Sequence, residues 1–183
     1  MYLGISSYNH ESAAALVDME GKLLNYYREE SLSRIKSDKS FPLRSLKKIL
    51  DVNNLEINDI KSIAFYEKPL SAFLVPLKTA LYQMPKSLEL ISNQFRNFDK
   101  SSVSCFLDLS KNFPGLEKKL LYVDHHLSHT LNALAYSYSK SDICSIVVDG
   151  FGDRSTASIS QIVDPTEINE LWECPYPVSL GLA

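Results

Sequence analysis

Three β-strand patterns follow one another at the start of the chain, before any helical pattern begins. The first strand is predicted at Tyr2–Ser6, and the next two lie within AAALVDMEGKLLNYYREE, on either side of a turn at Glu20 and Gly21. The third runs from Lys22 to about Arg28. Consecutive strands joined by turns predict a three-stranded meander, which places the N-terminal part of the chain in a sheet.

Strands and helices then alternate. The segment SDKSFPLRSLKKILDVNNL has helical spacing, with Pro42 in the first turn, where its fixed φ is tolerated. Four apolar residues fall on one face of this helix: Leu43, Leu46, Ile49 and Leu50. A buried strand is predicted from Ile60 to Pro69. Residues 70–112 are helical in pattern and punctuated by Pro76 and Pro85, which predicts a helical excursion from the fold.

The last third of the chain has the same alternation. KKLLYVD is predicted to form a strand, HHLSHTLNALAYSY a helix, and ICSIVVDGFGDRSTASISQI a hairpin that turns through Gly150 and Gly152. A final strand is predicted near Glu170–Cys174.

The order of these elements is β-β-β-α-β-α, followed by a hairpin, and it predicts an α/β fold with a mixed sheet flanked by helices. This is the outline of the ribonuclease-H-like half-fold found in actin, sugar kinases and heat-shock chaperone ATPases. Such proteins carry two halves with a nucleotide between them, whereas this sequence supplies one. We therefore expect residues 1–183 to be one lobe of an incomplete two-lobed domain.

Composition excludes some classes of function. With 19 basic and 22 acidic residues and a formal net charge of −3, the chain has no excess of positive charge for binding nucleic acid. It has no basic, apolar N-terminal signal and no apolar run of roughly 20 residues, so neither secretion nor a membrane helix is expected. Three widely spaced cysteines, Cys105, Cys144 and Cys174, indicate reduced thiols in a cytoplasmic protein.

Three of the four histidines lie together in VDHHLSHTLNA. His125 and His129 are spaced i, i+4, so on a helix both imidazoles leave one face and can hold one metal ion, while His126 points elsewhere. Asp124 is at the expected N-cap, where its carboxylate would accept backbone N–H groups. The alternative is a partly exposed helix face on which histidines cluster without a ligand.

Asp149 follows a buried apolar strand and precedes a glycine-rich segment. Ligands bind at such strand ends in open α/β sheets, and Gly150 and Gly152 would let the backbone approach a phosphate. Two histidines and a carboxylate suit Fe(II), Zn(II) or Mn(II) better than Mg(II). The alternative is an ordinary hairpin turn.

Two loops offer further polar groups. Ser7, Asn9 and His10 belong to a turn between the first two strands and could hydrogen-bond a ligand, although a turn rich in Ser and Asn needs none. Arg34 and Lys36 lie in a charged loop that is either an anion site or a solvated connection.

Six stretches, which occur in the family's order and at similar spacing, resemble the N-terminal part of the O-carbamoyltransferases grouped as the nodulation-protein-U and cephamycin carbamoyltransferase family. They are LGISSYNHESAAALV, EESLSRIKSDKSFP, IAFYEKP, DHHLSHTLNA, VVDGFGDRST and PVSLGL.

The resemblance implies transfer of a carbamoyl group to a hydroxyl of a small-molecule acceptor, such as an antibiotic or an oligosaccharide. The donor would be carbamoyl-adenylate made from carbamoyl phosphate and ATP. A divalent metal, expected to be iron, would anchor the nucleotide phosphates through His125, His129 and Asp149. His10 would be the catalytic residue beside the carbamoyl group.

The resemblance also implies that Arg34 and Lys36 contact phosphate or substrate. It implies that a second lobe and an adenylate-forming domain lie outside this sequence, so that the isolated chain is inactive and its apolar surface leads to self-association. Two alternatives remain: a relative of the threonylcarbamoyl transferases that modify tRNA, and a non-catalytic remnant of the fold.

Overall fold

The computed structural model describes residues 1–82, 84–89, 92 and 102–178. The chain divides into two compact units. The first contains Met1–Tyr66 and Asp99–Tyr122, and the second contains Glu67–Phe98 and Val123–Ala183.

The first unit is built on a five-stranded mixed sheet in the order β3-β2-β1-β4-β5. Strands β1 to β3 form the antiparallel meander predicted from the sequence, and β4 and β5 extend the sheet in parallel on the other side of β1. The strands are β1 Tyr2–Ser6, β2 Ala13–Val17, β3 Leu23–Arg28, β4 Ser62–Phe65 and β5 Leu120–Tyr122.

One face of this sheet is apolar because buried and less buried residues alternate along β1, β2 and β4. Leu3 is paired with Leu16 on one side and with Ile63 on the other, and all three are buried. Helices α2 Leu43–Asn53 and α4 Ser102–Asn112 contribute Leu46, Ile49, Cys105 and Leu109 to the same core. The mixed α/β architecture is therefore confirmed, while the assignment to the ribonuclease-H-like class stays a prediction.

The charged segment after β3, predicted as a loop, begins with a short helix, α1 Glu29–Ser33. Glu29 is buried, and its carboxylate accepts hydrogen bonds from Arg44 N and Ser45 N at the start of α2. Pro42 is the N-cap of α2 rather than part of its first turn, and it makes no side-chain cap. Glu29 thus caps α2 from a distance, a contact that local sequence patterns do not reveal.

The second unit has a three-stranded antiparallel sheet in the order β6-β7-β8. The strands are β6 Ile143–Gly152, β7 Ser155–Asp164 and β8 Glu167–Pro175. The unit also contains helices α3 Pro69–Tyr82 and α5 His125–Tyr136. In the part of the chain that is described, no helix has both the length and the apolar character needed to cross a membrane.

The predicted position of the hairpin turn was wrong. The hairpin does not turn through Gly150 and Gly152, because β6 continues to Gly152 and the turn is made by Asp153 and Arg154. Within the predicted helical excursion at residues 70–112, the described residues include α3, in the second unit, and α4, in the first. Residues 83, 90, 91 and 93–101 lie outside the described residues, and the excursion as a whole stays a prediction.

Candidate metal centre

Helix α5 begins at His125 and carries the histidine cluster. Asp124 is its N-cap and accepts a hydrogen bond from Leu127 N at 3.3 Å, which confirms the predicted cap. Lys68 Nζ and Arg154 Nε lie 3.6 and 3.8 Å from the Asp124 carboxylate. The carboxylate is thus surrounded by backbone and cationic donors.

His125, His129 and Asp149 converge. His125 Nε2 lies 3.1 Å from His129 Nε2 and 2.8 Å from Asp149 Oδ2, and His129 Nε2 lies 3.8 Å from the same carboxylate oxygen. One ligand atom from each residue falls within 4.8 Å of the other two. The helical period accounts for the histidine pair, and β6 supplies the carboxylate from a distant part of the sequence.

The three side chains differ in exposure. His125 is buried, whereas the side chains of His129 and Asp149 are 50% and 30% exposed. Burial lowers the pKa of His125, against the opposing effect of the Asp149 carboxylate. A neutral imidazole is the form that coordinates a metal, so this donor set of two imidazoles and one carboxylate fits Fe(II), Zn(II) or Mn(II).

A bulge in β6 places Asp149. Three β6 residues, 149–151, lie opposite Thr156 alone, because Val148 pairs with Ala157 and Gly152 with Ser155. Gly150 N donates to Asp149 Oδ1 at 2.6 Å, which leaves Oδ2 directed at the histidines. The bulge thus turns the carboxylate toward α5.

Gly152 lies against the histidines on the other side of the bulge. A Cβ at this position would stand 2.5 Å from His126 Nε2 and 3.1 Å from His125 Cδ2. The absence of a side chain therefore lets the strand approach α5 closely. The phosphate contact expected of Gly150 and Gly152 stays a prediction, and Gly152 has this packing role in addition.

Sequence reasoning missed Asp153, the residue that opens the β6–β7 turn. It is 2% exposed, and its Oδ2 accepts hydrogen bonds from Lys68 N at 3.1 Å and His125 N at 3.2 Å. Burial raises the pKa of Asp153 to about 7. The Asp153 carboxylate thus links Lys68, which precedes α3, to His125, the first residue of α5. The second aspartate of DGFGD was the available signal, but nothing in the spacing indicates its partners.

The predicted catalytic residue, His10, belongs to the first unit. A cavity of about 590 Å³ in that unit is lined by Asn9, His10, Glu11, Ser37 and Lys39. The His10 ring also packs against Tyr66, with ring centroids 5.5 Å apart. Asn9 and His10 therefore share one cavity, while their role in binding a ligand stays a prediction.

Three other candidate residues lie outside the lining of this cavity. Ser7 is fully buried, and its carbonyl accepts a hydrogen bond from Tyr66 OH at 3.0 Å. Arg34 and Lys36 are exposed and do not contribute to the lining. The cation on the cavity is Lys39, which sequence reasoning did not select, and its Nζ donates to Asn9 O at 3.2 Å.

Residues 37–40 hold the loop that carries His10. Tyr8 N donates to Lys39 O, and Ser12 N donates to Asp38 O, each at 2.8 Å. These two hydrogen bonds bracket His10 along the chain. The position of its loop therefore depends on the segment around Asp38.

One family profile and two known proteins match almost the whole chain. A family profile described as "Carbamoyltransferase N-terminus" matches residues 1–183. An uncharacterized protein, sll1178, from Synechocystis sp. is 32% identical over 188 residues, which cover 98% of this chain and 30% of the relative. The nodulation protein NolNO from Sinorhizobium fredii is 28% identical over 187 residues, which cover 97% of this chain and 25% of the relative. The chain thus spans less than a third of the length of either relative.

Proposed function

The chain belongs to the carbamoyltransferase family, through that family's N-terminal part, and on this premise we propose that it serves in carbamoyl transfer to a hydroxyl of a small-molecule acceptor. The proposed donor is carbamoyl-adenylate, made from carbamoyl phosphate and ATP. The single observation that supports a reactive role for this part is the convergence of His125, His129 and Asp149 in a family member.

We propose that these three residues hold a divalent metal, with iron first and zinc or manganese as alternatives. When bound, the metal would supply positive charge that anchors nucleotide phosphates. His125 contributes a buried, neutral donor, while the exposed side of His129 leaves that part of the site open to a ligand. Asp149 adds the one negative charge of the donor set.

His10 is the proposed catalytic residue. Its imidazole would orient the carbamoyl carbonyl or take the proton from the acceptor hydroxyl. Lys39 lies on the same cavity and would add a positive charge for an anionic part of the substrate. This assignment moves the proposed cationic role from Arg34 and Lys36 to Lys39, which the cavity geometry favours.

Metal content tests the first part of the proposal. Purified chain loaded separately with Fe(II), Zn(II) and Mn(II) under anaerobic conditions should bind about one ion per chain. His125→Ala and His129→Ala should each abolish stoichiometric binding, because two remaining donors hold a divalent ion poorly. His126→Ala is the comparison, because His126 is not one of the three donors, and it should still bind about one ion per chain at saturating metal. Equal loss in all three variants would contradict the assignment of the pair.

Turnover tests the second part. Because the relatives are more than three times as long, we propose that activity needs a further lobe and an adenylate-forming domain. The uninterrupted reading frame should release AMP only when carbamoyl phosphate, ATP and a hydroxyl acceptor are all present, and His10→Ala should abolish transfer. The 183-residue chain alone should give none. If the full reading frame releases no carbamoyl-dependent AMP with any acceptor tried, the proposed reaction is wrong.

A further inference from the structure

Helix α5 carries a second polar pair one residue further along than the metal pair. His126 and Thr130 are also spaced i, i+4, and they are 3% and 2% exposed. One residue along an α-helix corresponds to about 100° of rotation. The second pair therefore occupies the helix face that turns toward the sheet, beside the face that carries His125 and His129.

Each member of this buried pair contacts a serine of the sheet. His126 Nδ1 lies 2.8 Å from Ser158 Oγ on β7 and 3.3 Å from Ser155 Oγ. Thr130 Oγ1 lies 3.1 Å from Ser145 Oγ on β6. Ser145 and Ser158 are themselves buried, so these polar contacts lie away from water.

Hydrogen bonds are directional, whereas apolar packing tolerates sliding and rotation. A helix that slipped by one residue along β6 would move about 1.5 Å and rotate about 100°. Such a slip would break both contacts and turn His129 away from Asp149. The contact from Thr130 reaches Ser145, which lies on the same strand as Asp149, so it relates the helix directly to the strand that supplies the carboxylate.

We propose that His126 and Thr130 are positioning residues that set the rotation and register of α5 on β6 and β7, and thereby the geometry of the His125, His129 and Asp149 site. The inference rests on the proposed metal function of that site. His126 and Thr130 are not members of the proposed donor set and would act through the helix that carries the two histidine donors.

Thr130→Val is the central variant, because it removes one hydroxyl and keeps the shape of the side chain. Cobalt(II) is the probe, since its visible absorption reports ligand geometry while a titration reports affinity. Loss of groups that orient metal ligands typically weakens binding by about 10-fold to 100-fold. Thr130→Val should weaken Co(II) binding by about 10-fold and change the absorption spectrum, with one ion still bound at saturation.

His126→Leu should have the same effect, and His126→Asn, whose amide can still reach Ser158, should restore part of the affinity. The matched control is Thr79→Val in α3, where the hydroxyl donates to Val75 O at 3.0 Å within its own helix. It should bind Co(II) like the unmodified chain. If His126→Leu fails to fold, Thr130→Val and His126→Asn still test the positioning role.

The two proposals fail differently. If the unmodified chain binds no Co(II), the metal function and the inference that rests on it are both wrong. If the unmodified chain binds Co(II) and folded Thr130→Val binds it with the same affinity and spectrum, the positioning role is wrong and the metal function stands.

Discussion

Gly152 lies so close to the His126 ring that a side chain at position 152 would collide with it. A Cβ at Gly152 would stand 2.5 Å from His126 Nε2. His126 cannot move aside cheaply, because it is buried and its Nδ1 lies 2.8 Å from Ser158 Oγ. The glycine therefore permits the close approach of β6 to α5.

Gly152→Ala should push α5 away from β6. Overpacking of a buried contact costs about 1–3 kcal/mol, and the separation should weaken metal binding as well. We expect a lower free energy of unfolding in urea and a loss of Co(II) affinity. Gly4→Ala in β1 is the control, because nothing lies within 4 Å of the Cβ that would be added there. A Gly152→Ala chain with unchanged stability and affinity would show that the contact is easily relieved.

Asp38 should contribute stability that disappears in acid. Its carboxylate accepts hydrogen bonds from Ser40 N at 2.9 Å and Ser40 Oγ at 2.6 Å, and hydrogen bonds from the side chains of Ser33 and Ser40 lower the pKa of Asp38. Because the folded pKa lies below the unfolded value, the stabilisation is full above the unfolded pKa and is lost as pH falls through the folded one.

Asp38→Asn should therefore cost about 1–3 kcal/mol of unfolding free energy at pH 7, measured by urea denaturation, and progressively less as the pH falls below the unfolded pKa of an aspartate. Asp18→Asn is the comparison, since the Asp18 carboxylate also accepts two hydrogen bonds, from the backbone N–H groups of Glu20 and Lys22, but in an exposed turn. A cost for Asp38→Asn that stays constant down to pH 2 would rule out a role for its charge.

The thiols of Cys105 and Cys144 should react with Ellman's reagent at very different rates. Cys105 is fully buried, and burial together with the nearby Asp108 carboxylate raises the pKa of its thiol to about 12, whereas Cys144 is exposed. The thiolate is the reactive form, so at pH 8 Ellman's reagent should modify Cys144 rapidly and Cys105 only after unfolding. Cys144→Ser should remove the fastest phase, and the remaining reaction of the folded chain should come from Cys174, which is intermediate in exposure. Rapid modification of Cys105 in the folded chain would contradict its burial.

The isolated chain should self-associate. Large apolar side chains are exposed in the second unit, among them Leu70 and Leu74 on α3 and Ile146 and Trp172 on the sheet. Analytical ultracentrifugation should show a mass that rises with concentration. Leu74→Lys and Ile146→Lys should each be compared with Thr79→Lys, which changes charge without removing a large apolar group. A monomer at all concentrations would contradict the prediction.

Local periodicity was enough for much of the fold. The meander of β1 to β3 follows from β-prone runs separated by turns, and the shared face of His125 and His129 follows from the period of a helix. Here the helix is α5, which begins at His125 after its N-cap Asp124. Both features depend on residues near one another in the chain. Each could therefore be predicted without knowing what packs against it.

The sequence by itself thus determined the histidine pair, its cap and the strand that leads to Asp149. Only the tertiary structure decided that a bulge turns Asp149 Oδ2 toward His125, that Gly152 admits His126, and that Lys39 lines the His10 cavity in place of Arg34 and Lys36. These relationships join residues far apart in the chain. Strand register, close packing and the direction of a loop settle them, and none of the three has a signature in local spacing.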